Sequence, residues 1–96
     1  MTVTTTSTDN LLPGFDLSVA PNPNSGIFDI LLDSPASTTL QWQLYNLHGQ
    51  KMEEGQIKTT PGFERHTINA SDLATGVYLM RLNNEDGAKT IKVTIL

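Results

Sequence analysis

At 96 residues the chain has room for one domain, and a domain of that size buries roughly 60 to 68% of the surface its unfolded chain exposes. It contains no cysteine, which excludes disulfides and thiolate metal sites and leaves the core alone to hold the fold. With 10 acidic and 6 basic side chains, a formal charge of −4, nucleic acid and anionic membrane are both poor partners.

No stretch approaches the roughly 18 apolar residues of a membrane span, so direct membrane insertion is not expected. Residues 1–10, "MTVTTTSTDN", lack the basic and apolar regions of a secretory signal. The expectation is a fragment of a longer protein, in which residues 1–14 form a flexible, Thr-rich leader and residues 15–96 the folded domain.

Short strands follow in succession. "FDLSV" places Phe15, Leu17 and Val19 on one face and Asp16 and Ser18 on the other, the period of two of a half-buried strand. "APNPNSG" must end it, because Pro21 and Pro23 cannot donate to a ladder and fix the backbone in a stiff bend. "GIFDILLD" aligns Phe28, Ile30 and Leu32, and "SPAS" breaks the chain. In "TTLQWQLYNL" Leu40, Trp42 and Leu44 share a face opposite Gln41, Gln43 and Tyr45, which predicts a central strand with Trp42 in the core. His48-Gly49 makes the next turn.

In "QKMEEGQIK" Met52 and Ile57 have opposite parity, and a bulge at Gly55 would turn both inward. "FERHTINA" is mostly polar and suits a sheet edge. "SDLATG" predicts a single turn with Ser71 or Asp72 capping its first free amides. "GVYLMRLNN" places Tyr78, Met80 and Leu82 together, and Asp86-Gly87 closes a hairpin. "AKTIKVTI" aligns Ile91, Val93 and Ile95, with Lys89 at the exposed end of that face. About seven strands, turn signals every 8 to 12 residues or so and no helical period predict an all-β, antiparallel, immunoglobulin-like sandwich. A fold of this kind does not state a function.

Candidate chemistry is sparse. His48 and His66 have no partners at metal-ligand spacing, and no Gly-x-Ser-x-Gly elbow singles out a nucleophile. Glu53 and Glu54 are strand neighbours, so they point to opposite faces and cannot converge on one substrate atom. "NNEDG" lacks the alternating ligands of a calcium loop and reads as a hairpin turn. Asn69-Ala70-Ser71 is formally a glycosylation triplet, but a capped turn explains both polar residues. Neither an enzyme nor a cofactor is indicated.

The order of the turn motifs carries more. "VAPNPNSGIFDI", "LYNLHGQKM" with "EEGQI", "INASDLATGVYLMRL" and a terminal "KTIKVTIL" together resemble the type A C-terminal sorting domain of cargo proteins of the type IX secretion system of Bacteroidetes. The likeness runs from about Phe15 to Leu96. The motif positions are Pro21, Asn22, Pro23 and Gly26 in the first turn, and Asn46, Gly49 and Gln50 in the second. They continue with Leu73, Gly76 and Tyr78 in the third, and Lys89 and Lys92 in the last strand. Ala20 departs from the pattern, since many members have an aromatic residue there.

The resemblance implies an address rather than a catalyst. Its partners would be translocon and shuttle proteins and a sortase-like peptidase, and its passenger would precede it in the chain. It would pass through the periplasm to the cell surface or the medium, and the peptidase would remove it there. The competing reading is an accessory carbohydrate- or protein-binding module of a secreted enzyme or adhesin. At the residue level two readings of each motif stay open. Pro21 and Pro23 either stiffen a docking loop or merely end a strand. Lys89 and Lys92 either meet acidic groups on a receptor or guard a sheet edge. The glycines either serve recognition or satisfy turns.

Overall fold

The computed structural model describes Leu12 and residues 14–96; most of the expected Thr-rich leader, residues 1–11 and Pro13, lies outside the described residues. Seven strands and no helix are found among them: β1 (Asp16–Ala20), β2 (Ile27–Ser34), β3 (Thr38–Asn46), β4 (Lys51–Thr59), β5 (Gly62–Asn69), β6 (Gly76–Asn84) and β7 (Gly87–Ile95). They form two antiparallel sheets, β1-β2-β5 and β4-β3-β6-β7, the sandwich that the alternating pattern predicts. The β1–β2, β3–β4 and β6–β7 connections are hairpins within a sheet, whereas the other three cross between sheets. As expected, β5 is an edge strand, paired only with β2.

Alternation decides what is buried. Phe28, Ile30 and Leu32 of β2 face Leu40 and Leu44 of β3, Met80 and Leu82 of β6 and Val93 of β7, all essentially inaccessible to water. Leu12 and Ala70 join them from outside the strands. At about 25 cal/mol for each Å² of apolar surface removed from water, such side chains stabilise the fold by about 1.5 to 3 kcal/mol each. Trp42 belongs to this core, and Tyr45 lies on the outer face.

Two local expectations are corrected. Gly55 is in regular register opposite Trp42; the irregularity falls where Leu44 pairs with Glu53 and Tyr45 with Lys51, so that Met52 is the extra residue. Met52 therefore stays 38% exposed instead of turning inward. The glycine answers a packing need. A Cβ at Gly55 would lie 2.7 Å from Trp42 Nε1, so the indole occupies the space a side chain would fill. In the turn after β5, the cap is neither Ser71 nor Asp72. Asn69 Oδ1 accepts from the Ser71 amide at 3.0 Å and from its hydroxyl at 2.7 Å, an Asx turn made one strand-end earlier.

Candidate functional site

The strand directions bring the three motif turns to the same end of the sandwich. β1 ends and β2 begins there, as do β3 and β4, while β5 ends and β6 begins on either side of the third turn. The C-terminal end of β7 arrives there too, since Ile95 pairs with Gly76. Residues far apart in sequence, Pro21 to Gly26, Asn46 to Gln50, and Leu73 to Tyr78, thus share one end. Lys89 does not, because it pairs with Leu82 near the opposite end.

The first turn does more than end a strand. Asn22 lies against the free edge of β7: its Nδ2 donates to Lys92 O at 2.8 Å and its Oδ1 accepts from Thr94 N at 2.9 Å. An amide side chain here makes the pair of bonds that a neighbouring strand's backbone would make. Asn24 continues the same edge with its backbone, its N–H donating to Thr94 O at 2.9 Å and its carbonyl accepting from Leu96 N at 2.7 Å. Pro21 and Pro23 flank Asn22, both preceded by cis peptides, and with no N–H of their own they leave the edge groups to the asparagines.

Inside the turn, Asn24 is buried. Its Nδ2 donates to Pro21 O at 3.0 Å and its Oδ1 accepts from Gly26 N at 2.8 Å. Gly26 has φ +106°, and a Cβ on it would stand 2.6 Å from Ser71 Cα. Only glycine permits both the conformation and the approach. Its carbonyl accepts from Ala70 N at 2.7 Å, which locks the first turn onto the third. Asn24 was not singled out in the sequence, although an asparagine two residues before a turn glycine is a recognisable Asx signal.

The second turn is organised by Asn46. Its Oδ1 accepts from His48 N at 2.9 Å and Gln50 N at 3.0 Å, and its Nδ2 donates to Gln50 Oε1 at 2.7 Å. Gly49 takes φ +84° with open space around it, so its role is conformational. In the third turn, Leu73 packs partly buried on the core, and the buried Tyr78 donates its hydroxyl to Ala74 O at 2.6 Å. Tyr78 thereby ties the start of β6 to the turn, as a buried phenol requires.

Ile27, Leu47, Met52 and Leu96 are exposed large apolar residues, and all four belong to this end; Phe63, 66% exposed, lies at the other. Lys92 lies on the outer face of β7, opposite Leu79, while Lys89 is on the inner-facing side. Two ionisable groups are perturbed, one beside the second turn and one toward the opposite end. Lys51 is raised by its hydrogen bond to Glu54, 3.0 Å away. Glu64 is held below the ordinary glutamate range, first by the Thr60 amide and then by His66, whose Nε2 is 2.8 Å from its carboxylate. No grouping of His, Asp and Glu among the described residues could hold a metal ion.

A cysteine-free sandwich with three internally braced turns gathered at one end defines a small β module that presents a shaped surface. The chain belongs to the secretion system C-terminal sorting domain family, whose model matches residues 18–96. Comparison with curated proteins finds no match. It is therefore a type IX C-terminal sorting domain, a class that acts with the secretion machinery, lies C-terminal to a passenger and directs it toward the cell surface or the medium. This is a family of signals and not of enzymes.

Proposed function

We propose that the domain is read as a folded address in the periplasm, carried by shuttle proteins to the outer-membrane translocon, and removed by a sortase-like peptidase outside. We propose further that the docking end comprises Pro21, Asn22, Pro23, Gly26, Asn46, Gly49, Gln50, Gly76 and Tyr78, with Lys92 acting from β7, whereas Lys89, near the opposite end, guards the sheet edge. The observation that carries this reading is the gathering of the motif turns with Ile27, Leu47, Met52 and Leu96 at one end. Exposed apolar side chains on braced loops suit binding, since rigid loops lose little conformational entropy on docking.

Within that end, the motif residues have different parts. Gly26, Asn24 and Tyr78 build the shape, whereas Pro21, Pro23, Leu47 and Gln50 are outward and available. The test is a reporter bearing an export signal at its N-terminus and residues 1–96 at its C-terminus. It is followed in a type IX-competent bacterium and in a translocon-deficient sibling. The expected outcome is extracellular reporter in the competent strain alone. Retention in the periplasm of both strains, with the domain folded, would replace the address with a binding module. Substituting Pro21 and Pro23 with Ala separates docking from folding: export should fall while the domain remains folded.

A further inference from the structure

Charge is unevenly divided between the two outer faces of the sandwich. The register of β4-β3-β6-β7 places Lys51, Tyr45, Leu79 and Lys92 in one row across all four strands, and Glu54, Gln43, Arg81 and Thr90 in the next. Lys58 stands further along β4, opposite Thr39. This face thus carries four cations and one carboxylate, and that carboxylate is engaged by Lys51. The outer face of β1-β2-β5 is the reverse. Asp16 and Asp33 oppose each other across two strands, and Asp29 is paired with Arg65 at 3.5 Å. A protein of net charge −4 has therefore placed most of its lysine and arginine on one sheet.

That sheet face also has the anatomy of a protein interface. Tyr45, Leu79 and Val77 are half-buried toward its motif end, and exposed Arg81 and Lys92 stand beside them, the pairing of aromatic and apolar groups with arginine found where proteins meet. Beside them a recess of about 260 Å³ is lined by Gln41, Gln43, Glu54, Gly55 and Gln56. Gln43 Oε1 and Asn83 Oδ1, buried on this face, find no donor among the described residues.

We infer that the outer face of β4-β3-β6-β7 is a docking surface for an acidic protein surface of the secretion machinery, centred on Tyr45 and Leu79 and held by Arg81 and Lys92. The inference rests on the sorting reading and adds the partner's chemistry to it. The row of Lys51, Tyr45, Leu79 and Lys92 adjoins the motif end, so the footprint runs from the turns onto this sheet. Lys89, on the other side of β7, is outside it. Complementary charge accelerates encounter and excludes wrong partners.

The test uses the same reporter fusion in the competent strain. R81E/K92E should lower extracellular reporter by about tenfold or more, the effect of about 1.4 kcal/mol of lost binding, with the thermal transition of the purified chain unchanged. R81K/K92R and the opposite-face variant D16N/D33N should both be exported as the unsubstituted chain is. Export of R81E/K92E at the unsubstituted level, or equal loss in D16N/D33N, overturns the inference. Should R81E/K92E fail to fold, R81Q/K92Q carries the same comparison. Failure of the unsubstituted fusion to leave the competent strain removes the sorting reading itself, a result distinct from all of these. Cosedimentation of the purified chain with phosphatidylglycerol vesicles, abolished by R81E/K92E, would assign the face to lipid and overturn the protein partner.

Discussion

The two ends of the sandwich are closed by different chemistry. At the motif end, the bonds that cross between sheets run from the first turn to β7, shared between the side chain of Asn22 and the backbone of Asn24, which together engage Lys92, Thr94 and Leu96. At the opposite end the crossing is made by hydroxyls. Ser34 Oγ of β2 donates to Thr59 Oγ1 of β4 at 3.1 Å, and Thr59 Oγ1 accepts from Thr38 N, also at 3.1 Å. The hydroxyl end converges on one atom, Thr59 Oγ1. The motif end is distributed over several residues and is vulnerable mainly where the backbones approach most closely.

Gly26→Ala should therefore have the largest effect. It combines a left-handed φ with a Cβ placed against Ser71 backbone, and about 3 kcal/mol or more should be lost. Thermal denaturation should show a fall of at least about 12 °C. Gly49→Ala, at a similar φ with nothing nearby, should cost only about 1 to 2 kcal/mol. Equal losses at the two glycines would mean that the Gly26–Ser71 contact does not brace this end.

Thr59→Val tests the other end. It keeps the shape and removes the acceptor of the Thr38 amide, so about 1 to 3 kcal/mol should be lost in urea denaturation. Asn22→Ala should cost less, about 1 kcal/mol, because Asn22 is exposed and its bonds compete with water. Its signature is local. Exchange of the Thr94 amide should accelerate more than that of Val93, which faces β6.

The smallest effect is at Glu64, also at the hydroxyl end. Its folded-state pKa is depressed, so the stability it adds is present above its unfolded pKa of about 4.3 and is lost as pH falls through the lower folded value. Glu64→Gln should reduce the melting temperature at pH 7 and leave it unchanged once the pH is well below that window. A difference that persists in strong acid would assign the effect to shape and not to charge.

Much of this was legible in the chain because a period of two is a local property. Leu40, Trp42 and Leu44, or Tyr78, Met80 and Leu82, declare their faces without reference to any other strand. The edge position of β5 was legible for the same reason, its polar pattern lacking a second apolar neighbour. Gly55 was misread because its cause, the indole of Trp42, comes from a different strand, and parity alone suggested a bulge. The cap at Asn69 was missed because several residues in "NASD" can make such a bond, and only the exit angle of β5 selects one.

By itself the sequence determined the class of fold, the succession of strands along the chain, most of the strand residues of its core and the family to which it belongs. Each follows from alternation, turn chemistry or ordered motifs, which are short-range and additive. Tertiary structure alone decided that three distant turns meet at one end, and that Asn22 and Asn24 complete the edge of β7. It also decided that cations scattered along β4, β6 and β7 lie on one face. Those facts depend on strand pairing and register, which are fixed by long-range hydrogen bonds and by the shared burial of two sheets.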